Sequence, residues 1–308
     1  MGAEARSGQR KLQAHLYPGQ LLQPALFARR VQAEDLMRPV EPSAVWDELP
    51  HILRDAIESR TGPVLRTSAG GEGLGTSVRL VLHTAEGGVF IKGTGPGSTD
   101  HQRRRLALGA ELAPYVAAVS PPLLWRMQAA GWDITAWPAL PGRPWADQKP
   151  GSEDIPKMVG LLTKLSAIPA PDILTRSARD HWGEYADSPD LLEGDSIVHR
   201  DPNPTNFVVN GDRAWMVDFG WAVRGPAWMT SANLIVSMME AGWDAADADN
   251  AMKAVPAWAE APPQAVNELA RAEVREWERV MEQGPVHEVW QFRADIARKW
   301  AGYREKAA

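Results

Sequence analysis

The chain contains no cysteine. Disulfides, thiolate metal sites and cysteine nucleophiles are therefore excluded. It also lacks an apolar run long enough to cross a membrane as a helix, and its first residues lack the uninterrupted apolar core of a signal peptide. Both absences predict a cytoplasmic protein with no membrane partner. Positive charge is in the minority, with 33 Lys and Arg against 39 Asp and Glu and a net charge of -6. That balance, with an isoelectric point near 5.7, argues against a nucleic-acid partner. No internal repeat or low-complexity block stands out. What is present is ordinary globular composition, 44% hydrophobic and 23% charged over 308 residues, enough for two lobes with their own cores.

The informative stretch runs from His199 to Gly220. Phe207-Val208-Val209 and Ala214-Trp215-Met216-Val217 are short β-prone runs joined by Asn210-Gly211-Asp212-Arg213, a strong hairpin signal. Such a hairpin brings Asn206 and Asp218 together at its open end, because neighbouring strands lie about 4.8 Å apart. An amide oxygen and a carboxylate suit Mg2+, which takes few protein ligands and leaves the rest to water and phosphate. Asp201 precedes them on a loop that Pro202 and Pro204 force to run extended. A carboxylate placed there can orient a substrate hydroxyl, or accept its proton, for in-line attack on phosphorus. Asn210 and Asp212 are turn formers. Asp201, Asn206 and Asp218 in this order define a phosphoryl-transfer site.

These motifs resemble those of the protein-kinase-like superfamily, and within it the aminoglycoside phosphotransferase family of small-molecule kinases. The resemblance implies an α+β, bilobal fold, with a small antiparallel-sheet N-terminal lobe over 37–137 and a mostly helical C-terminal lobe over 138–308. Residues 1–36 read as a flexible extension, with Met37 a possible natural start. The family places a glycine-rich turn before a phosphate-holding lysine, and here Gly73, Gly75 and Ser77 precede Lys92 at the end of Val89-Phe90-Ile91-Lys92. It also orients that lysine with a glutamate on the following helix. Between Asp100 and Asp133 the sole acidic residue is Glu111, which makes Glu111 the candidate partner of Lys92. Ser98 or Asp100 is the expected cap of that helix, and Arg103-Arg104-Arg105 within it reads as a solvated face. By resemblance alone, Trp137 and Ala139 would lie at the hinge and meet the adenine of ATP.

Helical periodicity marks the segments from Ile155, Ser231, Ala265 and Val286 onward. Trp228, Trp243, Trp258, Trp277 and Trp290 read as core or pocket wall. Two departures from the family pattern matter. Arg200 stands between His199 and Asp201 as in protein kinases, yet only four residues separate Gly220 from Gly225-Pro226, too few for a peptide-binding activation segment. Where relatives carry an aspartate that braces the catalytic loop, this chain has Thr230, Ser231 and Asn233. The expectation is an ATP- and Mg2+-dependent phosphotransferase acting on a small-molecule hydroxyl. An aminoglycoside-like acceptor is the first choice. A metabolite kinase (amino alcohol, sugar amine or homoserine type) and a nucleotide-binding pseudokinase are the alternatives.

Overall fold

Strands form between residues 66 and 138 because apolar and polar residues alternate there. Along Val78–Thr84 (β2), Val78, Leu80 and Leu82 are buried on one face, and Arg79 and Val81 project from the other. A computed structural model of the protein describes residues 46–70, 77–143, 145–282 and 288–307. In it β2 joins Arg66–Ala69 (β1), Gly87–Thr94 (β3), Trp125–Ala129 (β4) and Trp132–Pro138 (β5) in one antiparallel sheet ordered β1-β2-β3-β5-β4. The β4–β5 connection is the two-residue Ala130-Gly131, with φ of 51° and 78°, the left-handed pair that a tight hairpin demands. The expected extension over 1–36, with Met37, lies outside the described residues.

Helix His51–Thr61 (α1) covers the sheet, burying Leu53 and Ile57 in one cluster with Leu80, Ile91 and Ile134. Ile52 lies on the opposite face and is 69% exposed. Asp100–Leu112 (α2) follows β3, and its cap is Thr99, not Ser98 or Asp100. Thr99 Oγ1 accepts from the Gln102 amide at 3.2 Å while Gln102 Oε1 accepts from the Thr99 amide at 2.8 Å, a complete capping box.

Beyond the sheet the chain is largely helical, with Asp154–Ser166 (α3), Ala178–Trp182 (α4), Met229–Glu240 (α5), Ala245–Met252 (α6), Pro256–Ala259 (α7), Pro263–Glu282 (α8) and Glu288–Ala307 (α9). Two short ribbons interrupt it: Ser196–Val198 (β6) pairs with Val223–Gly225 (β9), and Phe207–Asn210 (β7) pairs with Arg213–Met216 (β8). Trp228, Trp258, Trp277 and Trp290 are buried among these helices. Trp243, partly buried, donates its indole N–H to the Gln148 carbonyl. No helix among the described residues is long and apolar enough to cross a membrane.

The segment between the sheet and α3 is anchored to the β7 ribbon, since the Arg143 amide donates to the Val209 carbonyl at 2.8 Å and the Val209 amide returns the bond at 2.9 Å. Gly142 makes this approach possible. Its φ is 111°, and a Cβ there would lie 2.3 Å from the Val209 oxygen. Gly142→Ala is therefore expected to cost at least about 2 kcal/mol, from a strained backbone plus a displaced bridge. A urea melt unchanged by the substitution would contradict this.

Candidate active site

The β7–β8 hairpin forms with the two-residue loop Gly211-Asp212, Gly211 supplying a φ of 54°. Its register pairs Phe207 with Met216, and the Val217 amide extends the ladder by donating to the Asn206 carbonyl at 2.9 Å. Asn206 and Asp218 thus stand at the same open end. Asp218 itself adopts φ 65° and ψ 56°, a left-handed conformation uncommon for a side-chain-bearing residue. That twist lets the chain turn into the short helix Phe219–Trp221.

Asp201 joins them through Asn206, whose Nδ2 donates to the Asp201 carbonyl at 2.7 Å and to Asp201 Oδ2 at 3.3 Å. Asn203 Nδ2 donates to Asp201 Oδ1 at 2.9 Å. With its nitrogen committed to Asp201, the Asn206 amide keeps its oxygen for another partner. Behind this loop His199 is fully buried. Its Nδ1 accepts from the Asp201 amide at 3.2 Å, which fixes the tautomer so that Nε2–H donates to the Val217 carbonyl at 2.9 Å. Edge contact with Phe219, ring centroids 4.8 Å apart, completes its seat. One imidazole therefore ties the Asp201 loop to the Asp218 strand.

Neutral side chains brace the loop where an aspartate was missed in the sequence. Thr230 Oγ1 accepts from the His199 amide at 3.0 Å, and Asn233 Nδ2 donates to the His199 carbonyl at 3.3 Å. Arg200 turns away from the site, bonding His181 and lying near the rings of Trp182 and Trp221, while His181 in turn faces Glu276 at 3.1 Å. Burial lowers the pKa of His199 below its ordinary 6.5, against the opposing pull of the Val217 carbonyl, Asp201 and Asp218. An unfolded chain takes up this proton near pH 6.5 and the folded one only at lower pH, so stability falls as pH drops below about 6.5. His199→Gln should remove that step from a pH series of thermal melts.

Lys92 reaches the site from β3, its Nζ 2.7 Å from Asp218 Oδ1. The two side chains are only 16% and 20% exposed. Desolvation lowers Lys92 to about 8, Asp218 pulling it up while Arg79 and Arg105 push it further down. Desolvation alone would raise Asp218, but Lys92, Arg105 and Arg79 overcome it and hold the carboxyl far below the usual range. Asp218 is therefore ionised at neutral pH.

Glu111 does not meet Lys92. Its half-exposed carboxylate lies 3.6 Å from Arg126 Nη1, and Lys92 bonds Asp218 instead. Helix phase explains the correction. Gly109 is the α2 residue whose Cα faces Gly220, and Glu111 lies about 200° further round the helix. Nor is the arginine run a solvated face, for only Arg104 of the three is exposed. Arg105 stacks over the Trp221 ring at 3.5 Å, and its backbone oxygen closes against Gly220, where a Cβ would come to 2.8 Å.

Ser77 is tied into structure. Its Oγ accepts from the Gly95 amide at 3.0 Å and shares a hydrogen bond of 2.9 Å with Ser98, holding the start of β2 against the β3–α2 connection. Gly73 and Gly75 lie outside the described residues. At the hinge, Trp137 pairs with Phe90 and Ala139 donates its amide to the Gly88 carbonyl at 3.0 Å. The Ala139 N–H is thus spent within the sheet, which leaves its carbonyl as the group it could offer a base edge.

A small, half-open depression lies beside Asp201, bounded by the 200–203 loop, α5 and α9. Its wall carries charges of both signs in Glu240 and Arg293, 3.4 Å apart. Among the described residues no group of three or more His, Cys, Asp or Glu side chains could hold a metal ion. Two oxygen donors, from Asn206 and Asp218, are nevertheless a set that Mg2+ accepts.

A five-stranded antiparallel sheet whose Lys92 bonds Asp218 of the largely helical half that follows is the kinase-like fold. The solved structures it resembles agree. Choline kinase LicA from Streptococcus pneumoniae matches with a TM-score of 0.55 at 11% identity, over 82% of this chain and 98% of that one. An aminoglycoside phosphotransferase from Alicyclobacillus acidocaldarius matches at 0.51 and 12% identity, over 88% and 97%. A fructosamine-3-kinase-like structure from Haemophilus somnus matches at 0.50 and 9% identity, over 81% and 96%. At such identities the likeness is one of fold. No family model and no curated protein matches the chain in sequence.

Proposed function

We propose that this chain is a kinase that moves the γ-phosphoryl group of ATP to a hydroxyl of a small molecule, acting in the cytoplasm. The observation that carries the reading is that Lys92 bonds Asp218 and Asn206 bonds Asp201, the two pairs being joined where the Val217 amide donates to the Asn206 carbonyl. Asn206 and Asp218 would hold Mg2+, which when bound would supply positive charge against the phosphates. Lys92 holds the phosphate chain. Asp201, positioned by Asn203 and Asn206, orients the acceptor hydroxyl and takes its proton as the oxygen bonds to phosphorus. The nucleotide sits between the sheet lobe, ending near Trp137, and the helical lobe beyond it, with the Trp137–Ala139 backbone as the adenine contact.

The acceptor enters the depression beside Asp201. Aminoglycoside-like polycations are one candidate class, in line with the Alicyclobacillus structure. A second reading, a metabolite kinase of the kind named in the choline and fructosamine structures, has a specific observation in its favour. The guanidinium of Arg293 lines that depression beside Asp201 and Glu240, and a polycation would meet it at a cost. Thermal-shift screening with ATP and Mg2+ against aminoglycosides, amino alcohols, sugar amines and hydroxy amino acids, followed by assay of ADP release, tests both. A response confined to the metabolites removes the aminoglycoside reading. ATP consumption that is equal in wild type and Asp201→Ala would leave a nucleotide-binding pseudokinase.

A further inference from the structure

Lys92 and Arg79 are register partners on β3 and β2, so their side chains share the cleft face of the sheet. Like charges directly opposite one another destabilise a sheet, and burial of Lys92 adds desolvation to that cost. From the other side α2 brings a third cation. Arg105 lies against the turn that carries Asp218, its backbone closed on Gly220 and its guanidinium fixed over the Trp221 ring. Arg79 thus stands opposite Lys92 on the sheet, and Arg105 lies against the turn two residues beyond Asp218. The family resemblance leads one to expect a carboxylate from this helix, and the chain sends a guanidinium.

We propose that Arg105 is a phosphate-binding residue, forming with Arg79 and Lys92 a three-cation cradle that grips the triphosphate of the nucleotide even without divalent metal. The proposal rests on the kinase reading for the identity of its ligand, but on geometry for its chemistry. Guanidinium groups offer paired N–H donors matched to phosphate oxygens. Stacking on Trp221 restricts Arg105 before the ligand arrives, so less entropy is lost when it binds. An anion held among the three cations would offset their mutual repulsion.

Calorimetric titration of the full chain with ATP, and separately with inorganic tripolyphosphate, both in excess EDTA, tests this. Wild type is expected to bind both ligands, and Arg105→Gln to weaken both by about tenfold or more, with Arg105→Lys recovering most of the loss. The weakening should shrink as salt rises. Wild-type tripolyphosphate binding that is absent, or equal in Arg105→Gln, overturns the cradle. Should Arg105→Gln not fold, modification of wild-type Arg105 by phenylglyoxal, mapped by mass spectrometry, decides: tripolyphosphate must protect it, and unprotected modification overturns the proposal. A wild type that binds tripolyphosphate yet transfers no phosphate from ATP would sink the kinase reading and leave the cradle standing.

Discussion

Asp201→Asn should lower phosphate transfer at saturating ATP by about 10²- to 10⁴-fold, the range expected when a positioned general base is lost. The substitution is close to isosteric, so the loop should survive it. Asn203 Nδ2 can still donate to an oxygen at position 201, the Asn206 bond to the 201 carbonyl is untouched, and His199 still accepts from the 201 amide. What disappears is the negative charge and the ability to take a proton. ATP affinity should stay within about threefold of wild type, because uniform binding and transition-state contributions separate in this way. Measuring ADP release with the acceptor found by screening, alongside ATP binding, checks both halves. A variant retaining half of the wild-type rate would remove Asp201 from the chemistry.

Legibility in the sequence followed the range of the interaction. The β7–β8 hairpin was readable because Gly211 and its neighbours dictate a local turn, and once the turn is known the register carries Asn206 to Asp218. The antiparallel sheet was expected from the family resemblance, and the alternation of Val78, Leu80 and Leu82 is its local counterpart. The partner of Lys92 was not. It depends on the rotational setting of α2, which is fixed by Gly109 and Arg105 packing on Gly220, residues over a hundred positions away in the chain. Elimination by residue type then selected Glu111, which has the right charge and faces the wrong way. A pointer to the error was present in the sequence, because Gly109 and Arg105 are four residues apart and so share a helix face that excludes Glu111. Thr230 and Asn233 were legible as a departure but not as a remedy. Only the structure shows two neutral side chains bonding both backbone groups of His199.

Asp218→Asn should destabilise the protein by about 2–3 kcal/mol at pH 7, more than Lys92→Met/Asp218→Asn does, although it removes less. The single change strands a largely buried ammonium without its carboxylate, and the double change removes both charges together. Lys92→Met alone should be milder, about 1–2 kcal/mol, since Arg79 and Arg105 still face Asp218. The pH dependence gives a second signature. Depression of the Asp218 pKa means its stabilising contribution is present above its unfolded value near 3.8 and is lost only as pH falls below that, so neutral pH lies on the plateau. Lys92 titrates near 8 in the folded protein against 10.5 unfolded, so wild type gains stability as pH rises through that window. In Asp218→Asn the ammonium is opposed by desolvation with no carboxylate beside it, so Lys92 should lose its proton at lower pH still. The deficit of the variant should therefore shrink as pH is raised from 7 to about 10, because the pair energy vanishes in wild type once Lys92 is neutral. Urea melts of all four proteins at pH 7 and pH 9.5 measure the cycle. Additive losses, or a deficit that grows with pH, would mean that Lys92 and Asp218 are neighbours without being partners.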